Sequence, residues 1–166
     1  MDTSSLAPGD AEAALRSFPR RYRALTQPIA NDERMEAMLH RRPMAGRSVF
    51  DLLVDTTRTL SLLQRALHDI EVTDNPMLHL AVVYRPAREF DTVHHGDIED
   101  VLAELDDVSI AFADDVKRVA ADQWLRTGAV VRGGSVTALD VVREAVSTAA
   151  DNLHEAEITL RQVRGQ

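Results

Sequence analysis

Leu139, Val142, Val146, Ala149, Leu153, Ala156, Leu160 and Val163 recur at alternating intervals of three and four residues. That period puts all of these side chains on one stripe of an α-helix. A helix with one apolar stripe is stabilised in water by laying that stripe against others like it. The same spacing runs through Val49, Leu53, Thr56, Leu60, Leu63, Leu67 and Ile70, where Thr56 is the one polar member. It returns in Ile98, Val101, Leu105, Val108, Phe112 and Val119, and near the start in Ala11, Leu15, Phe18, Tyr22 and Leu25. Four such helices predict an all-α fold, a four-helix bundle.

Local signals place the helix ends. Pro8-Gly9-Asp10 opens the first long helix, Pro19 is expected to kink or split it, and Gln27-Pro28 to end it. Asn31 to His40, with Met35, Met38 and Leu39, suffices for one short helix, and Arg41 to Gly46 is a connector. Ser48 can cap the second long helix, with Asp51 three positions on at the positive end of its dipole. From Glu71 to Val93 the period fails, interrupted by Pro76 and Pro86. This long loop between the second and third long helices holds Met77, Leu78, Leu80, Val82, Val83 and Tyr84, which need cover, and such a loop is expected to pack over an opening in the core. Gly96 or Asp97 opens the third long helix. Val130-Val131 and Gly133-Gly134 predict a short hairpin or irregular loop before the last helix, which Ser135 or Thr137 caps and Gly165 closes. Residues 1–9 read as a flexible lead and 10–166 as a single domain without internal repeats.

Composition narrows the chemistry. With 45% hydrophobic but 4% aromatic residues, the core must be Leu, Val, Ile and Ala, which favours helix on helix. Zero cysteines exclude disulfides, thiolate catalysis and cysteine-based metal sites. A net charge of −8, from 27 acidic and 19 basic residues, argues against a nucleic-acid partner. The first residues lack the pattern of a signal peptide, and no stretch approaches the ~20 apolar residues that span a bilayer. A cytoplasmic protein without a membrane partner is expected. Phosphate-loop, dinucleotide and Gly-x-Ser-x-Gly patterns do not occur, nor do two copies of Glu-x-x-His. Among the histidines, His94 and His95 are adjacent and point to different sides, His154 falls on an outer face, and His79 lies in the apolar loop. The third long helix is strongly acidic outside its stripe, as a solvated face or as a docking surface for a basic partner.

Three stretches carry a resemblance. They are Phe18-Pro19-Arg20-Arg21-Tyr22; Arg42-Pro43-Met44-Ala45-Gly46-Arg47-Ser48-Val49 leading into the second long helix; and Arg126-Thr127-Gly128 followed by Gly134 to Val142 leading into the last. In this order and spacing the chain resembles the DinB-like superfamily, which includes the amino-terminal domain of mycothiol-dependent maleylpyruvate isomerases. The resemblance implies a four-helix bundle, frequently a homodimer, with a divalent metal held by three histidines. Those ligand positions fall on Asp55, Thr148 and Asn152, none of them histidine. No cofactor is therefore expected, a zinc or nickel ion being the alternative. Helix geometry adds that Asp55 and Thr59 lie on one flank of the second long helix, and Thr148 and Asn152 on one flank of the last. Flanks that face each other make a small polar pocket, with His79 in the loop above it; flanks that meet water are ordinary boundaries. The resemblance thus implies a diverged, non-catalytic member that binds a small molecule or forms a dimer. The alternatives are a divalent-metal-dependent, mycothiol-type thiol transferase or isomerase, and a protein-interaction module using the acidic helix. Whether the chain is an enzyme stays open at this point.

Overall fold

A computed structural model describes residues 3–30, 33–44, 46–88, 94, 96–131 and 134–165, with the backbone alone at 28–30 and 33–35. Among them the chain is mostly helical: α1 (Pro8–Ala30), α2 (Glu33–His40), α3 (Val49–Val72), α4 (Ile98–Arg118) and α5 (Ala138–Arg164). A small sheet is built from β1 (Met77–Leu78), β2 (Thr127–Val130) and β3 (Gly134–Thr137). The four long helices share one core, α3 lying along α5 and α4, and α1 along α4 and α5. None of the described helices is long and apolar enough to cross a membrane.

The helix starts follow from their caps. Ser48 Oγ accepts from the Asp51 amide at 3.0 Å, and Asp51 Oδ2 accepts from the Ser48 amide at 3.1 Å. Thr137 and Asp140 repeat this reciprocal box at the start of α5. Asp97 caps α4. Gly165 sits at the C-cap of α5.

Helix α1 corrects the expected split at Pro19 and the expected end at Gln27-Pro28, running on as one helix to Ala30. A proline inside a helix costs about 3 kcal/mol. Around it, Ala11, Leu15, Phe18 and Tyr22 are at most 1% exposed. Burying each large apolar side chain contributes about 1.5–3 kcal/mol, so the packed stripe outweighs the lost hydrogen bond. The helix also starts inside the expected lead: Pro8 takes its first position, and Leu6 packs partly on the core while its carbonyl accepts from Arg143 Nε at 3.1 Å. The short helix α2 forms as expected at Glu33–His40, Asn31 and the Met35 side chain lying outside the described residues.

The buried stripe of α3 matches its spacing throughout. In α4 the stripe is turned by about one residue: Ile98, Leu102, Leu105, Ser109, Phe112 and Val116 are buried, whereas Val101 and Val108 are half-buried. In α5 Ala138 is fully buried and Leu139 is half-buried.

The stretch expected as a loop from Glu71 to Val93 is partly regular. Helix α3 continues to Val72, β1 follows, and 3-10 turns occupy Leu80–Val82 and Arg85–Arg88; Glu89 to Val93 lie outside the described residues. Leu78 and Val82 are covered, but Met77, Val83 and Tyr84 are 69%, 45% and 53% exposed. The hairpin before α5 forms from β2 and β3, antiparallel from Thr127↔Thr137 to Val130↔Gly134, with Gly133 outside the described residues. Beyond the expected hairpin, the sheet gains a third strand in β1, which joins parallel to β2 as Met77↔Ala129 and Leu78↔Val130. Leu78, Gly128, Val130 and Val136 form its buried face. Gly128 is required there, since a Cβ on it would stand 2.5 Å from Leu78 Cδ1 and 3.3 Å from Ile70 Cγ1.

Candidate functional site

Asp51 and Asp55 lie one turn apart on the same side of α3, and both are 1% exposed. Burying an ionisable carboxyl is costly unless a cation and hydrogen bonds accompany it. Each receives an arginine from the connector before α3. The connector is anchored at its start by the His40 ring, 4.4 Å from that of Phe50. Arg42 Nε donates to Asp51 Oδ2 at 2.8 Å, and Arg47 Nη1 donates to Asp55 Oδ2 at 2.5 Å.

Arg47 reaches further. Its Nη2 donates to Asn152 Oδ1 at 3.3 Å and to Glu155 Oε2 at 2.7 Å, while Nε donates to Glu155 Oε1 at 3.4 Å. Asn152 Nδ2 donates in turn to Thr56 Oγ1 at 3.2 Å. The Thr56 hydroxyl proton is directed to the Leu52 carbonyl at 2.8 Å, so the Tyr22 hydroxyl, 2.9 Å away, is the donor to Thr56. The result is a polar chain running inward from Glu155 at the surface, through Arg47, Asn152 and Thr56, to Tyr22 in the core. It joins α5, the connector, α3 and α1. Thr56, the one polar member of the α3 stripe, is where the core accepts this chain.

Electrostatics follow burial and pairing. Burial pushes the Asp55 carboxyl up to about 6, against the opposing pull of Arg47. Burial also raises the Tyr22 hydroxyl. Asp51 is desolvated too, but hydrogen bonds from Arg42, from Ser48 and from the His94 amide at 3.2 Å hold it below the usual carboxylate range. Arg47 is raised: burial works against its charge, and Glu155 and Asp55 outweigh burial. His94 Nε2 stands 3.9 Å from Asp55 Oδ1, and that oxygen accepts no hydrogen bond from the described residues.

A second cluster ties the 3-10 turns to α5. Arg88, 8% exposed, donates to the carbonyls of Ala81 and Val82 at 2.9 and 3.2 Å, to Thr148 Oγ1 at 3.0 Å and to Glu144 Oε1 at 2.8 Å. Arg85 spans Glu144, Ser147 and Asp151 beside it. Burial would raise Glu144, but Arg85 and Arg88 hold it low.

The expected pocket residues therefore divide. Asp55 and Asn152 are brought together on the Arg47 guanidinium. Thr148, one turn earlier on α5, bonds to Arg88 and to Glu144. Thr59 is buried on α3, one turn beyond Asp55. His79 is exposed, and its Nδ1 accepts from the Ala81 amide at 3.1 Å within its own turn. His94 is the histidine beside Asp55, and His95 lies outside the described residues. Arg47, Glu155 and Arg88 escaped the sequence reading. One signal was present for Arg47: it directly precedes the Ser48 cap, beside acids at 51 and 55 that a helix places on one side. On the acidic face of α4, Asp114 and Glu99 are paired with Arg16 and Arg23 of α1. Asp115 takes Gln64 and Arg118.

As metal donors, Asp55, Asn152 and Thr148 offer a carboxylate, an amide oxygen and a hydroxyl, a hard oxygen set that suits zinc or nickel poorly. No family model, no curated protein and no solved structure matches this chain.

Proposed function

We propose that the chain is a diverged, DinB-like four-helix bundle in which an arginine stands where a metal would, and that it acts as a non-catalytic module binding a small polar molecule. The observation carrying this reading is the Arg47 guanidinium, shared by Asp55 and Asn152, two of the three positions where the resembling family places ligands. A cation already in contact with both disfavours a second one. At 4 Å in a partly buried setting the repulsion is about 4 kcal/mol per unit charge, and twice that for a dication. The remaining position, Thr148, is engaged by Arg88. The family reading itself rests on the three sequence stretches, one within α1 and two leading into α3 and α5. A homodimer belongs to it through the resemblance, and light scattering checks the dimer.

Metal analysis of protein purified without chelator tests the proposal. Zinc and nickel are expected only in traces, far below one per chain. A stoichiometric metal that is lost in Asp55→Ala would overturn it and restore the metal-dependent transferase.

A further inference from the structure

We propose that Asp55, Asn152 and Glu155 form a receptor for a guanidino group, which the chain fills with its own Arg47 and which a small guanidino compound enters when that side chain swings out. The inference rests on the metal-free reading above and names the ligand class of the same site.

The acceptors are arranged for a planar fork. They meet all three guanidinium nitrogens: Nη1 by Asp55 Oδ2 at 2.5 Å, Nη2 by Asn152 Oδ1 at 3.3 Å and Glu155 Oε2 at 2.7 Å, and Nε by Glu155 Oε1 at 3.4 Å. An ammonium ion, a compact point charge, cannot span such a set. These groups belong to α3 and α5, and the Asn152 amide keeps a hydrogen bond of its own besides that of Arg47. Asp55 is 1% exposed within the core stripe region, and the Asn152 amide is oriented by Thr56, itself bonded to Tyr22 and Leu52. The receptor is therefore expected to keep its shape without its occupant.

Arg47, by contrast, enters from outside. Its side chain is 34% exposed, so leaving the site takes a rotation of that side chain and no movement of the core. Its departure would leave Asp51, Asp55 and Glu155 against Arg42 and Arg58, still a net negative site that favours a cation. A second observation points to a ligand rather than a closed structural pair. Asp55 Oδ1 is buried and accepts no hydrogen bond from the described residues, because the guanidinium uses Oδ2 alone. A ligand able to turn in the site can meet both oxygens side by side, as guanidinium and carboxylate prefer. With Glu155 at the rim and Asp151 one turn before it on α5, the ligand should carry no carboxylate near its guanidino group.

The probe is methylguanidinium chloride, with methylammonium chloride as control, titrated by calorimetry at neutral pH into protein first shown to be metal-free. Arg47→Ala should bind methylguanidinium saturably and methylammonium at least tenfold more weakly, and adding Asp55→Asn should abolish the binding. The wild type should bind more weakly than Arg47→Ala by the fraction of molecules in which Arg47 is out, roughly ten- to a hundredfold. If Arg47→Ala does not fold, Arg47→Gln, which keeps part of the stem and removes the charge, takes its place with the same expectation. A folded Arg47 variant without saturable binding would overturn the proposal, as would binding that survives Asp55→Asn. Stoichiometric metal in the starting protein would instead sink the metal-free reading, so the two failures are distinguishable.

Discussion

Replacing Asp55 by Asn separates two forces that act on one carboxyl. Burial raises this group from an ordinary 3.8 to about 6, although Arg47 pulls the other way. Between those values the folded chain keeps a proton that the unfolded chain has released. The stability associated with Asp55 is thus fully present below the lower value and is lost as pH rises through the upper one. At one pKa unit per 1.36 kcal/mol, the ionised carboxyl costs the folded state about 3 kcal/mol at neutral pH. The side chain is 2% exposed, so solvent screening scarcely reduces this. Arg47, Asp51, Arg58 and His94 are the charged or titratable groups that bear on it. Asp51, Glu144 and Asp151 are held low and tilt stability the opposite way at more acid pH, a contribution common to both proteins. Urea unfolding of wild type and Asp55→Asn should be compared from pH 4 to pH 8. The variant's advantage is expected to grow from nearly nothing at the acid end to about 3 kcal/mol at neutral pH. Parallel stability curves would refute the reasoning. So would a wild type that gains over the variant as Asp55 ionises, since the Arg47 ion pair would then outweigh burial.

Three further outcomes follow from other parts of the fold. Ser109 is fully buried with no hydrogen-bond partner for its hydroxyl among the described residues, so Ser109→Ala should stabilise the protein by about 1 kcal/mol in chemical denaturation. Gly128→Ala should destabilise it by about 1–3 kcal/mol, because Leu78 Cγ stands 2.7 Å from the new Cβ and Leu78 is itself enclosed. Arg88→Ala strips half-buried Glu144, buried Thr148 and two backbone carbonyls of their donor; a loss of about 3 kcal/mol is expected, with limited proteolysis turning first to the Leu80–Arg88 turns.

The helices were legible because apolar period and packing agree: every stripe member of α3 and all but Leu139 in α5 are buried. The phase of α4 slipped at Ser109, a polar residue in a core position that a stripe drawn through valines passes by. Pro19 misled for a related reason, since local propensity was weighed without the packing on both sides of it. Met77-Leu78 gives too short a signal to announce a strand, and its pairing depends on Gly128 some fifty residues later. At the site, Asp55 and Asn152 could be placed on facing flanks by helix geometry. Arg47 could not: an arginine in a polar connector reads as surface until the fold shows that α5 supplies Asn152 and Glu155 to meet it.

The pairing of β1 with β2 has a topological consequence. The first of these strands comes just after α3 and the second opens the hairpin that leads into α5, so the whole of α4 is a closed excursion whose two ends are fastened together. Closing a loop of this length costs only slightly more entropy than closing one half as long. Once closed, it removes an escape route. Handing α4 to a neighbouring molecule, as a domain-swapped pair would, requires that fastening to be undone first. If two copies of this chain do associate, the fold favours contact between finished surfaces over exchange of that helix.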